Sequence, residues 1–292
     1  MGPVILKFTL AAIFLVAVLA VFRAMHRGDG GKGAAHLLSS LEPAEAARQL
    51  LNSTQDPEKL KEDFRAFFGD VQQQDRWKKA AVGSDPGSQA DIAMAVAKFG
   101  DESGRSWLFA AWEHNDPGLQ LAVSRALSAT ADPHSLKRLL PLLHSPRAGL
   151  PTRAAEVVLS LGEQAVEPLV AYLRKTDQGK ETIIQLLGEM QDHRAVAALI
   201  DCLSHSSESV RKEAVIALGK LGDTPEITTA LLASLQDESW QVRAQAARVA
   251  GVLGVKEAAP ALETLSRDSR WEVSTHACKA LVALGGDRGA GS

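Results

Sequence analysis

His114, His134, His144, His193, His205 and His276 are spread along the body of this chain, and metal binding is the chemistry they could do. A metal needs three or four converging ligands, held from behind by further hydrogen bonds. His134 and His193 stand in equivalent places after Asp132 and Asp192, but two imidazoles on separate segments fall short of that set. They read as surface residues at helix starts. Trp240 and Trp271, 31 residues apart, could form a stacking ladder for bases or a pigment, and Arg211 and Arg243 could grip phosphates. Lys137-Arg138 with Arg147, and Arg174-Lys175 with Lys180, are small basic clusters that form either a solvated face or a patch for an acidic partner. Cys202 and Cys278 both fall within helical apolar patterns and read as buried thiols. No phosphate-binding glycine loop, no G-x-G-x-x-G after a strand, no G-x-S-x-G and no C-x-x-C is present. Asn52-Ser53-Thr54 matches a glycosylation acceptor and reads as a chance occurrence. The expectation is therefore no catalytic, no cofactor-binding and no metal-binding residue.

The elements that would position these residues are helices. Hydrophobic residues make up 46% of the 292 residues and aromatics only 5%, so Ala, Leu and Val must do most of the packing. That composition suits small-residue helix pairs better than a sheet, which would draw on more β-branched and aromatic residues. A net charge of −3 supplies no global basic excess for nucleic acid, which is disfavoured as a partner.

Ser209–Asp223 (SVRKEAVIALGKLGD) returns as Gln241–Val255 (QVRAQAARVAGVLGV), with Val210-Arg211, Gly219 and Leu221-Gly222 recurring 32 residues later. Such self-similarity marks a stacked helical repeat. One column runs through Gly100, Ala131, Gly162, Gln191, Gly222, Gly254 and Gly285, spaced 31, 31, 29, 31, 32 and 31 residues. Each member should end a first helix in a left-handed cap, and an acidic residue after it can cap the next helix. First helices are predicted near 87–99, 118–130, 152–161, 179–190, 208–221, 240–253 and 271–284. Second helices fill the gaps with apolar stripes at Val166, Leu169, Val170 and Leu173, at Val196, Leu199, Ile200 and Leu203, and at Ala258, Ala261, Leu262 and Leu265. Ahead of the repeats, residues 37–83 read as a helical N-terminal cap whose FRAFF cluster at Phe64–Phe68 belongs in the core.

Residues 1–23 are apolar from Phe8 to Phe22 apart from Thr9, long enough for a transmembrane signal-anchor helix. A cleaved signal peptide, with Phe8–Ala20 as its apolar region and Val18-x-Ala20 before the cut, is the rival reading. The basic residues Arg23, Arg27 and Lys32 favour the anchor and a cytoplasmic C-terminal domain. A flexible glycine-rich linker is expected at 24–36 and a disordered tail at 286–292.

Asp237-Glu-Ser-Trp240-Gln-Val242-Arg243, and Asp268-Ser-Arg-Trp271-Glu-Val273 with Ser274 in place of Arg, resemble the short HEAT-like repeat first named from phycobilin lyases. Val210-Arg211 matches without a Trp, and Pro168 and Pro260 stand where the family's second helix begins. The likeness covers residues 86–285. It implies an all-α fold, a right-handed α-solenoid of about seven HEAT-like helix pairs at 84–285, and the apolar run at 1–23 adds a single N-terminal hydrophobic helix ahead of it. It also implies that Trp240 and Trp271 plug seams between repeats, while Arg211 and Arg243 pair with turn carboxylates such as Asp237. A related helical-repeat class holds two irons with His-Glu pairs, but no His here is followed by Glu. The function expected is a non-catalytic, membrane-tethered scaffold that docks a protein partner on the concave face lined by second helices. The alternative is a bilin lyase-like subunit acting on a chromophore-carrying protein.

Overall fold

Asp-Pro pairs at Asp56-Pro57, Asp85-Pro86 and Asp116-Pro117 each start a helix, because the carboxylate takes up free first-turn N–H groups and proline needs none there. The computed structural model describes residues 38–114 and 116–286, and among them there is no strand. The chain divides into two compact units, Met1–Asp132 and Pro133–Ser292.

The first unit contains α1 (Pro43–Leu51), α2 (Pro57–Phe68), α3 (Val71–Ala81), α4 (Pro86–Phe99), α5 (Glu102–Trp112) and α6 (Pro117–Thr130). Helix α4 packs between α1 and α6. The core beneath it is aromatic. Phe64 stacks on Phe68 at 5.0 Å between ring centroids, Trp77 meets both edge-on, and Trp107 closes on Phe68 at 5.9 Å. Offset and edge-to-face pairs of this kind add to the apolar area they bury. The FRAFF cluster is core, as its spacing predicts.

The second unit is the regular one. Its first helices are α8 (Leu150–Ser160), α10 (Lys180–Met190), α12 (Glu208–Leu221), α14 (Trp240–Leu253) and α16 (Trp271–Gly286). Its second helices are α7 (Leu136–Leu139), α9 (Val166–Lys175), α11 (Val196–Asp201), α13 (Pro225–Ser234) and α15 (Ala259–Leu265). Most of these are short and flanked by 3-10 turns. Around α7, Pro141 lacks the N–H an α-helix needs, and the chain tightens into a 3-10 turn over Leu140–His144. Helices α10, α12, α14 and α16 stack in succession on small residues. A Cβ on Gly188 would lie 3.0 Å from Ala217, one on Gly219 2.7 Å from Val249, and one on Gly251 2.7 Å from Ala280. This backbone proximity is why Gly219 and Gly251 recur at the repeat interval.

The observed first helices lie within two residues of the predicted spans at each end. The glycine column holds in part. Ala131, Gly162, Gln191, Gly222 and Gly254 all have positive φ. Gly100 does not, at φ −70°, and it is needed for space instead, since a Cβ there would stand 2.4 Å from the Val96 carbonyl oxygen. Gly285 lies inside α16. Asp101 and Asp192 cap the next segment as expected, whereas after Gly222 the cap passes to Thr224. The stripe of α9 is buried throughout. In α11 the buried set is Ala195, Ala198, Leu199 and Cys202, with Val196, Ile200 and Leu203 half-buried. Here 3-10 turns flank α11 on both sides, and three residues per turn rotate the register that an unbroken α-helix would keep.

The expected membrane location is corrected: among the described residues no helix is long and apolar enough to cross a membrane. The stretch from which that location was inferred, residues 1–23, lies outside the described residues, as do the linker at 24–36 and the tail beyond Gly286.

Candidate functional site

Where the second helix α9 ends, two aromatic rings from consecutive repeats meet, with exposed cations in the same last turn. Tyr172, the only tyrosine of the chain, sits in the last turn of α9. Its ring runs nearly parallel to that of His144 from the preceding repeat, with centroids 6.3 Å apart and planes 16° from coplanar. Gly179, which opens α10 at φ +66°, lies against His144 so closely that a Cβ would meet the imidazole's own Cβ at 3.0 Å. The chain thereby wedges the histidine toward Tyr172. The Nδ1 atom of His144 is buried and meets no hydrogen-bond partner among the described residues. A buried polar atom of this kind is costly to leave unpaired.

Lys180, next to Gly179, folds back and donates from Nζ to the Leu173 carbonyl at 2.8 Å, satisfying one of the free carbonyls at the end of α9. Cys202 occupies in the following repeat the column that Tyr172 occupies in its own. Burial pushes the Cys202 thiol up, while the Lys180 charge acts in the opposite direction. Arg174 is 59% exposed and reaches Asp201 at 4.0 Å, and Lys175 is exposed one helical turn beyond Tyr172. The corner thus offers a half-buried aromatic step with the exposed Lys175 one turn away, while Arg174 lies toward the following repeat. A flat face beside a cation suits a planar anion.

Sequence reasoning identified the Arg174-Lys175 cluster here but not Tyr172 or His144 as neighbours. The signal was a singular tyrosine in a column that holds Leu142, Cys202 and Thr264 in other repeats. Lys180, grouped with the exposed cluster from its place in the chain, is instead committed to a backbone carbonyl.

The other candidates fall out as structural. Arg211 grips Asp237 through two bonds of 2.9 Å and donates to the His205 and Ser206 carbonyls as well. Arg243 repeats the pattern on Asp268 at 2.8 Å and on the Asp237 carbonyl at 2.8 Å. These are the turn-carboxylate pairs expected, and they leave neither guanidinium free for phosphate. Trp240 is half-buried beneath the Arg270 guanidinium at 5.6 Å, but Trp271 is 71% exposed. The seam-filling expected of Trp271 is therefore corrected. The turn that carries Arg270 covers Trp240, and among the described residues no turn follows α16. Cys278 is exposed, not buried as its pattern suggested. His205 accepts from the Ser207 amide at 3.0 Å, and burial, with the charges of Lys279 and Arg248, pushes the His276 imidazole down. Among the described residues no group of three or more His, Cys, Asp or Glu is placed to hold a metal.

The family described as HEAT repeats matches residues 75–160, 166–237 and 228–290. The bilin biosynthesis protein PecF of Mastigocladus laminosus is 30% identical over 175 residues, which is 54% of this chain and 82% of that protein. Among solved structures, the complex of CpcE and CpcF of phycocyanin lyase from Nostoc sp. PCC7120 aligns at 19% identity and a TM-score of 0.36, covering 75% of this chain and 89% of that one. A designed armadillo repeat protein aligns at 20% identity and a TM-score of 0.38, covering 84% and 100%. The relative at 30% identity overturns the expectation of a non-catalytic chain, because that protein works in a biosynthetic route.

Proposed function

The chain belongs to the HEAT-repeat family, and from that footing we propose that it is a bilin lyase-like subunit, which holds a chromophore-carrying protein and takes part in attaching or removing its bilin. The observation that carries this reading is the match to PecF across 82% of that protein's length. The domain layout belongs to the same reading: a helical cap at 37–83, repeats at 84–285, and right-handed winding of the repeats within residues 133–286. In that arrangement the short second helices face the protein partner. Their broken, 3-10-flanked form supports this role, since stacking of the long first helices supplies the packing and leaves second-helix ends free to vary.

The test is chromophore transfer. Full-length protein is incubated with a phycobiliprotein subunit, either stripped of pigment with free phycocyanobilin or already carrying its bilin. Covalently bound pigment is then followed on denaturing gels by zinc-enhanced fluorescence. At least a tenfold acceleration of attachment or loss over the protein-free reaction is expected. Equal rates with and without the protein, in both directions, would discard the reading.

A further inference from the structure

We infer that the His144–Tyr172 corner of the second unit is the seat of the bilin, a reading that rests on the function proposed above and adds where the pigment is held. A linear tetrapyrrole is a strip of flat conjugated rings with pyrrole N–H groups, terminal lactam carbonyls and two carboxylate arms. Its rings and its carboxylate arms find counterparts here. The near-parallel rings of Tyr172 and His144 form an aromatic step at the surface between two repeats, on which a conjugated ring can stack. Nδ1 of His144 is buried against Gly179, so what the histidine offers a pigment is its ring and not a hydrogen bond.

The cations fit the arms. Lys175 lies one turn from Tyr172 on the same face of α9, whereas Arg174, two residues on from Tyr172, is exposed toward the following repeat with only a 4.0 Å contact to Asp201. A carboxylate at Arg174 can be held by two parallel N–H···O bonds, which the long contact to Asp201 does not provide. Lys180 takes no part in this, since its amine is spent on the Leu173 carbonyl, but that bond keeps the end of α9 and its tyrosine in position. Cys202, in the next repeat, has no role in the proposal.

The other exposed aromatic, Trp271, supplies the control. It stands at the start of α16 with no second ring against it among the described residues. Phycocyanobilin is titrated into the full-length chain and binding is read from the visible absorbance and induced circular dichroism. The variants are Tyr172→Ala, Tyr172→Phe, the double variant Arg174→Glu with Lys175→Glu, and Trp271→Ala, each checked for unchanged melting. Tyr172→Ala and the double charge reversal should each weaken binding at least fivefold, while Tyr172→Phe and Trp271→Ala bind as the parent does. If the parent binds and Tyr172→Ala and the charge reversal bind equally well, the pigment sits elsewhere and the inference is overturned, although transfer activity would leave the proposed function standing. If the parent shows no saturable binding, the inference is likewise overturned. A negative transfer assay in addition would remove the function.

Discussion

Arg211 has four acceptors around it and is almost fully buried, with its side chain 8% exposed against 12% for Asp237. Removing one member of such a pair leaves an uncompensated charge, a larger loss than the pair's own net contribution. Asp237→Ala should therefore lower unfolding stability by about 3 kcal/mol in urea titrations. Asp268→Ala should lose less, because Arg243 is 18% exposed and water can take over part of the charge. The capping aspartates make a second residue-scale prediction. Hydrogen bonds hold several of them below the usual carboxylate range: from Ser88 to Asp85, from Ser103 to Asp101, from the Leu119 amide to Asp116, and from Arg194 to Asp192. A carboxyl whose folded pKa is lowered binds protons more readily when unfolded. Its contribution is thus complete above the unfolded value of about 3.9 and is lost as pH falls through the folded value. The urea midpoint should drop steeply below about pH 4, and Asp116→Asn should flatten that drop while keeping a cap oxygen. An unaltered slope in the variant would show that Asp116 does not contribute.

At the scale of the element, two kinds of glycine repeat through the second unit for different reasons, and substitution separates them. Gly251 is needed for space, with Ala280 of the next first helix at 2.7 Å from where a Cβ would stand. Gly222 is needed for conformation: nothing lies within 4 Å, but its φ of +94° and ψ of −171° fall where side-chain-bearing residues are strained. Gly251→Ala should destabilise by about 1–3 kcal/mol through overpacking, and Ala280→Gly in the same chain should recover part of that loss. Gly222→Val should lose about 1 kcal/mol or more with no neighbour able to rescue it. Melting of the four proteins decides the matter, and a Gly251→Ala chain indifferent to Ala280→Gly would refute the close-packing account. Both glycines were visible in the sequence as a recurrence. Which one served space and which served φ was not, because each requirement is set by the three-dimensional course of the backbone.

For the whole molecule, the function proposed is chromophore handling by a repeat protein, and the two bilin experiments belong at this scale. Transfer onto a phycobiliprotein subunit tests the reading itself, and binding by the Tyr172 variants tests where the pigment is held. The proposal of a lyase-like subunit in place of a passive scaffold came from similarity to PecF and not from any residue pattern. A stack of helix pairs gains its stability from neighbour-to-neighbour contacts, so the outward ends of second helices are free to carry different surfaces in different relatives. Repeats of this kind therefore say little about activity from their periodicity.

The period near 31 residues, the glycine column and the alternating long and short apolar stripes are local properties of the chain, and they were enough to determine the first helices and the repeat fold, while the Arg–Asp pairing followed from the resemblance to a known repeat. Helix start and stop signals act within a few residues, which is why they can be read from residue order alone. The His144–Tyr172 corner is different. Its members lie 28 residues apart in chain positions that are not equivalent within the repeat, and they meet only because 3-10 turns shorten one second helix and Gly179 presses the imidazole across. Likewise Trp271, sequence-equivalent to Trp240, is exposed because no further turn of the described chain covers it. Contacts between successive repeats depend on small rotations summed over every residue between them, and those rotations are settled by packing, not by residue type.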